Sequence, residues 1–142
     1  MKHIKSYKLF ESKFEKSFIN QYKRIEPELN DILLPFNDDG IKYHIHPYSD
    51  DGIGEVTISI GQAVLLTTAL NVKFFTWSQI KEEMLHVISF MDSEGIGFSK
   101  LETQQFVSNE FHNIEMYDHS DIEELEDDFK FTEFNITFSK LS

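Results

Sequence analysis

His44 and His46 lie two residues apart in Ile41-Lys42-Tyr43-His44-Ile45-His46. On a strand, that spacing sends both imidazoles from one face, where they could meet a single metal ion. No third ligand has a supporting spacing, because His3, His86, His112 and His119 are scattered over other segments. The reading is therefore that both histidines occupy the polar side of a strand, with no metal. Calcium fails on register: a twelve-residue loop opened at Asp118 would put Ile122 fifth, Glu123 in the glycine position and Phe129 twelfth. The pairs Glu82-Glu83 and Glu123-Glu124 could supply acid/base chemistry only inside a pocket, and both read as solvated helix surface. There is no cysteine, which excludes thiolate catalysis and disulfides. Gly52-Ile53-Gly54 and Gly95-Ile96-Gly97 lack the third glycine of a dinucleotide loop and read as turns. No enzyme and no cofactor is expected.

The remaining chemistry is electrostatic. The segment 118–128 holds Asp118, Asp121, Glu123, Glu124, Glu126, Asp127 and Asp128 with Ile122 and Leu125 between them and no Lys or Arg. These seven carboxylates are the candidate partner-binding residues. Two readings stand: a short surface helix capped by Ser120, with Ile122 and Leu125 pinned to the core, or a copy of the phosphate ladder that occupies a basic cleft. The whole chain carries 13 Lys+Arg against 25 Asp+Glu, a net charge of -12. Up to Arg24 the balance reverses: seven basic residues (Lys2, Lys5, Lys8, Lys13, Lys16, Lys23, Arg24) face Glu11 and Glu15, leaving +5 there and -17 on the remainder. A body of that sign repels nucleic acid and anionic lipid, so neither is expected as a direct partner. A protein partner with a basic surface is expected instead.

These groups must be positioned by a folded chain. At 142 residues, with 40% apolar and 14% aromatic residues including 14 Phe, the composition is too sticky for a disordered acidic chain and suits one α+β domain over 1–142. Residues 1–25 form a basic amphipathic helix, with Phe10, Phe14, Phe18, Ile19, Tyr22 and Ile25 at helical spacing, packed on the body or offered to a partner's groove. Pro27 predicts a kink or break, then a short second helix from Pro27 to Leu34 stopped by Pro35. Asp38-Asp39-Gly40 and Asp50-Asp51-Gly52 read as turns around a strand carrying Ile41, Tyr43 and Ile45, and Val56, Ile58 and Ile60 return as its hairpin mate. Gly61 to Phe75 fits a strand or a buried loop equally. Thr76 and Gln79 form a capping box for a helix ending before Gly95, with Ile80, Met84, Val87, Ile88 and Met91 inward. Gln104 to Met116 suits one strand or two, and Phe134, Ile136 and Phe138 alternate on a last one that absorbs Asn135-Ile136-Thr137. The expected order is α-β-β-α-β-β, with helices on one face of a mainly antiparallel sheet of about four strands. The N-terminal residues show no secretory pattern and no run reaches the ~20 apolar residues of a membrane span, so a cytoplasmic protein is expected.

The leader from Met1 to Ser12, the phrase Asp31-Ile32-Leu33-Leu34 followed by Asp38-Asp39-Gly40-Ile41, and Trp77-Ser78-Gln79-Ile80-Lys81 with Val87 to Gly95 together resemble small uncharacterised proteins of large tailed bacteriophages. The resemblance brings no active site. It implies a phage accessory or structural protein made in a bacterial cytoplasm. The expected function is non-enzymatic binding to a bacterial or phage protein. Two alternatives are an acidic nucleic-acid mimic that inhibits a host nuclease, polymerase or defence complex, and a virion component.

Overall fold

The computed structural model describes residues 2–50, 52–61, 74–107 and 110–141, and for residues 2–12, 106, 107, 111 and 141 the backbone alone. Strand β6 (Lys130–Leu141) is the element on which the sheet assembles. On one side β2 (Ile53–Gly61) sets Val56, Ile58 and Ile60 opposite Phe138, Ile136 and Phe134. On the other side β4 (Gly97–Val107) sets Phe98, Leu101 and Thr103 opposite the same three residues. Directly paired residues share a face, so these side chains form one apolar layer. A slip of one residue would carry the whole layer into water.

The outer strands complete an antiparallel sheet in the order β1-β2-β6-β4-β5, with β1 at Tyr43–Asp50 and β5 at Glu110–Met116. A two-residue strand, β3 (Phe75–Thr76), also pairs with β6. The α+β class and antiparallel pairing agree with the sequence reading, but among the described residues the strands number six rather than about four. The order of elements is also richer than α-β-β-α-β-β, being α1 α2 β1 β2 β3 α3 β4 β5 α4 β6. Of the ambiguous segment Gly61 to Phe75, residues 62–73 lie outside the described residues.

Two bulges explain why part of the sheet escapes period-two reading. Phe98 and Leu101 are three residues apart, yet both face the core because Ser99 is an extra residue in β4 between the pairs Phe98↔Phe138 and Lys100↔Thr137. Phe131 and Phe134 are reconciled in the same way by Thr132, whose hydroxyl lies 2.8 Å from the Gln104 Oε1 that accepts its proton.

The helices cover the apolar face. Helix α1 (Lys2–Leu33) continues unbroken through Pro27, so the separate short helix expected beyond it is part of α1. Proline inside a helix costs about 3 kcal/mol. Leu29 and Leu33 beyond it are fully buried and continue the stripe of Phe18, Tyr22 and Ile25, and burying each leucine recovers about 1.5–3 kcal/mol. The packing therefore outweighs the missing N–H. Pro35 does end the helix, and it opens α2 (Pro35–Asp38), where a first helical position needs no donor. Helix α3 (Trp77–Ser93) begins as the sequence predicts, Thr76 N–H donating to Gln79 Oε1 at 2.7 Å. It buries Trp77, Ile80, Met84, Val87 and Met91, while Ile88 is half-buried. The helices are locked together at Gln21, 9% exposed, which donates through Nε2 to the Glu94 carbonyl and accepts from Lys140 Nζ, each at 2.7 Å.

Gly54 is not a turn residue but a strand position opposite Lys140. Phe18, 1% exposed, fills the volume a Cβ would occupy there. Gly97 likewise opens β4. Gly61 combines a φ of 85° with the Thr132 carbonyl where its Cβ would go, so the edge of the second bulge admits only glycine.

Two outcomes follow from the packing. Gly54→Val, despite the better strand propensity of valine, should lower unfolding free energy in urea by about 1–3 kcal/mol through overpacking, and trimming Phe18 to Leu in the same chain should reduce that penalty. Burial first and the Glu26 carboxylate second push the Tyr22 phenol up to about 12. The stability held by neutral Tyr22 is complete below pH 10 and is lost as pH rises from there towards 12. Tyr22→Phe should flatten that segment of the stability–pH curve.

Candidate functional site

Strands β5 and β6 are each antiparallel to β4, and therefore parallel to each other. Parallel strands cannot be joined by a tight turn and need a crossover of about a dozen residues or more. The acidic segment is that crossover. It leaves β5 at Met116, passes through the short helix α4 (His119–Glu123) and enters β6 at Lys130.

Its path is fixed from the backbone outward. Asp118 caps α4, its Oδ1 accepting from the Ser120 N–H at 3.0 Å, so the cap is Asp118 and not Ser120 as the sequence suggested. An Asp one turn before an acidic third helical position was the available signal, with Asp121 in that place. The Ser120 hydrogen bonds hold the Asp118 carboxyl below the usual carboxylate range. Ile122 is fully buried and Leu125 is packed against the core, as expected. At the far end the Trp77 N–H donates to the Phe129 carbonyl at 2.9 Å, and the Ser78 N–H donates to the Asp127 carbonyl at 3.0 Å. Two of the donors that a helix start leaves unpaired are thus satisfied by the crossover. Helix α3 has no acidic residue in its own first turn, and Asp127 supplies one at its positive end from a distant part of the chain.

All seven carboxylates of the segment are exposed. Asp127 pairs with Lys81 of α3 at 3.4 Å, a contact that sequence could not reveal, and Glu123 lies 3.8 Å from His119. Among the described residues the carboxylates of Asp121, Glu124, Glu126 and Asp128 meet no cation.

The opposite face of the sheet is polar and, among the described residues, uncovered. His44 and His46 of β1 stand on it beside Ser59 and Thr57, as the alternation predicted. Farther across, Thr57 and Thr137 share a hydrogen bond at 3.0 Å, and Lys100 pairs with Glu102 at 2.8 Å. The Glu102 hydrogen bond and charge raise the Lys100 ammonium, and the Glu115 carboxylate, 2.7 Å away, raises the Tyr117 phenol. Glu55, Glu102, Glu115 and Glu133 all belong to this face, so these four carboxylates lie across the sheet from the crossover. Glu82 and Glu83 lie on α3, Glu82 exposed and Glu83 half-buried.

Among the described residues no three His, Asp or Glu side chains gather as a metal site, and no helix is long and apolar enough to cross a membrane. Fold and surface together define an α+β protein with a braced acidic crossover on its helical side and a polar sheet face that no described element covers. Comparison with protein-family models, curated proteins and solved structures finds no match.

The anchor and the charges separate by substitution. Ile122→Ala should cost about 2–5 kcal/mol in urea unfolding. Asp127→Asn, at an exposed pair, should cost less than about 1 kcal/mol.

Proposed function

We propose that this chain is a non-enzymatic protein-binding accessory protein, and that the acidic crossover is the surface it presents to a basic partner. One observation carries the reading: seven exposed carboxylates stand on a segment whose backbone is bonded at both ends and whose middle is buried through Ile122. A segment already ordered before binding loses little conformational freedom when a partner arrives, so its charges act at low entropic cost. Like-signed charge on an exposed crossover also steers a cationic surface towards it. The resemblance of the leader and of the Trp77 region to proteins of large tailed bacteriophages supports a phage origin and a partner in the bacterial cytoplasm.

A narrower form, in which the carboxylates occupy the nucleic-acid cleft of a host enzyme, is favoured by the single lysine that answers the run, Lys81. In that form the partner would release bound DNA or RNA as this protein is added.

The variant to use is Asp121→Asn, Glu123→Gln, Glu124→Gln, Glu126→Gln and Asp128→Asn, which spares Asp118 and Asp127 because both serve the fold. Captures from bacterial lysate at low and moderate salt should retain a partner with the parent chain and lose it with the neutralised one, while melting is unchanged. A partner held equally by both chains, or none above background, would overturn the proposal.

A further inference from the structure

His44 and His46 belong to the sheet face opposite the crossover and take no part in the function proposed above. Both are exposed, and their ring centroids lie 6.0 Å apart. Neither makes a hydrogen bond or ion pair with a described residue. Their cross-strand neighbours, Ser59 and Thr57, are short. Among the described residues β1 is the edge of the sheet, and no further strand pairs along the flank beside the two histidines.

We propose that His44 and His46 form a two-imidazole chelate for a late first-row divalent ion, of the class Ni²⁺, Cu²⁺ or Zn²⁺. An ion about 2.0–2.1 Å from one nitrogen of each ring sets the centroids about 4.5–5 Å apart when the angle at the metal is between square and tetrahedral. Small rotations of two exposed side chains close the difference from 6.0 Å without moving the backbone. Imidazole nitrogen selects these ions over calcium or magnesium, and copper binds tightest in the series. Once the first imidazole is bound, the second is presented to the same ion at high effective concentration, which makes the pair a better ligand than two isolated histidines. Water fills the remaining positions.

The test is a calorimetric titration with nickel chloride on the untagged chain carrying His3→Ala, so that the imidazole near the N-terminus does not contribute. One equivalent should bind. His44→Ala or His46→Ala should each weaken it by about tenfold or more, and His112→Ala or His119→Ala should leave it unchanged. Binding should also weaken in acid, because a protonated imidazole does not ligate. A second measurement, on the same His3→Ala chain, needs no change at the site: substoichiometric Cu²⁺ should broaden the imidazole resonances of His44 and His46 before those of the other histidines. Absence of nickel binding, its persistence in the His44→Ala/His46→Ala double variant, or broadening led by another histidine would each overturn the proposal.

Discussion

The structure depends on one constraint: the strand that follows all the others in the chain, β6, sits in the middle of the sheet. Its Phe134, Ile136 and Phe138 are paired on both flanks by apolar residues that lie far away in sequence. Because β2 and β4 both run antiparallel to β6, they are parallel to each other, and α3 must carry the chain from one to the other across it. Helix and sheet are then forced onto one another, which is where Trp77 stacks on Phe134 with ring centroids 5.9 Å apart. The acidic segment answers the same constraint at the second crossing. Its length and its buried Ile122 are requirements of topology before they are anything else.

Charge is accommodated around that frame. Carboxylates stand on the crossover, on the polar sheet face and along helices α1 and α3, which spreads like charge over several surfaces and lowers its self-repulsion. The few cations within reach are used singly: Lys81 on Asp127, Lys100 on Glu102, Arg24 on Glu94. All are at least partly solvated, so they position side chains more than they stabilise the fold. The tie that joins the layers is neutral on one side, the buried amide of Gln21 between the Glu94 carbonyl and Lys140.

What is legible in the sequence follows local physics. The β1–β2 hairpin shows because Tyr43 and Ile45, then Val56, Ile58 and Ile60, alternate cleanly, and α3 shows because Thr76 and Gln79 cap it. The first half of β4 is hidden because a bulge at Ser99 turns a spacing of two into three between Phe98 and Leu101. Pro27 misleads because its local cost is visible and the burial of Leu29 and Leu33 is not. At the acidic segment the anchors Ile122 and Leu125 are readable as apolar residues in a charged run. Its bonds to the start of α3 join residues about fifty positions apart and have no local signature. That the run bridges two parallel strands follows only from the sheet order.

The central place of β6 also has a meaning in time. Synthesis proceeds from the N-terminus, so β2 and β4 leave the ribosome before the strand that will separate them. Until β6 arrives, each presents an unpaired edge, and the apolar layer of Val56, Ile58, Ile60 and Leu101 has no middle. The chain therefore passes through an interval in which these two edges are open together, and a nascent protein of this topology is most vulnerable to wrong pairing just before β6 emerges.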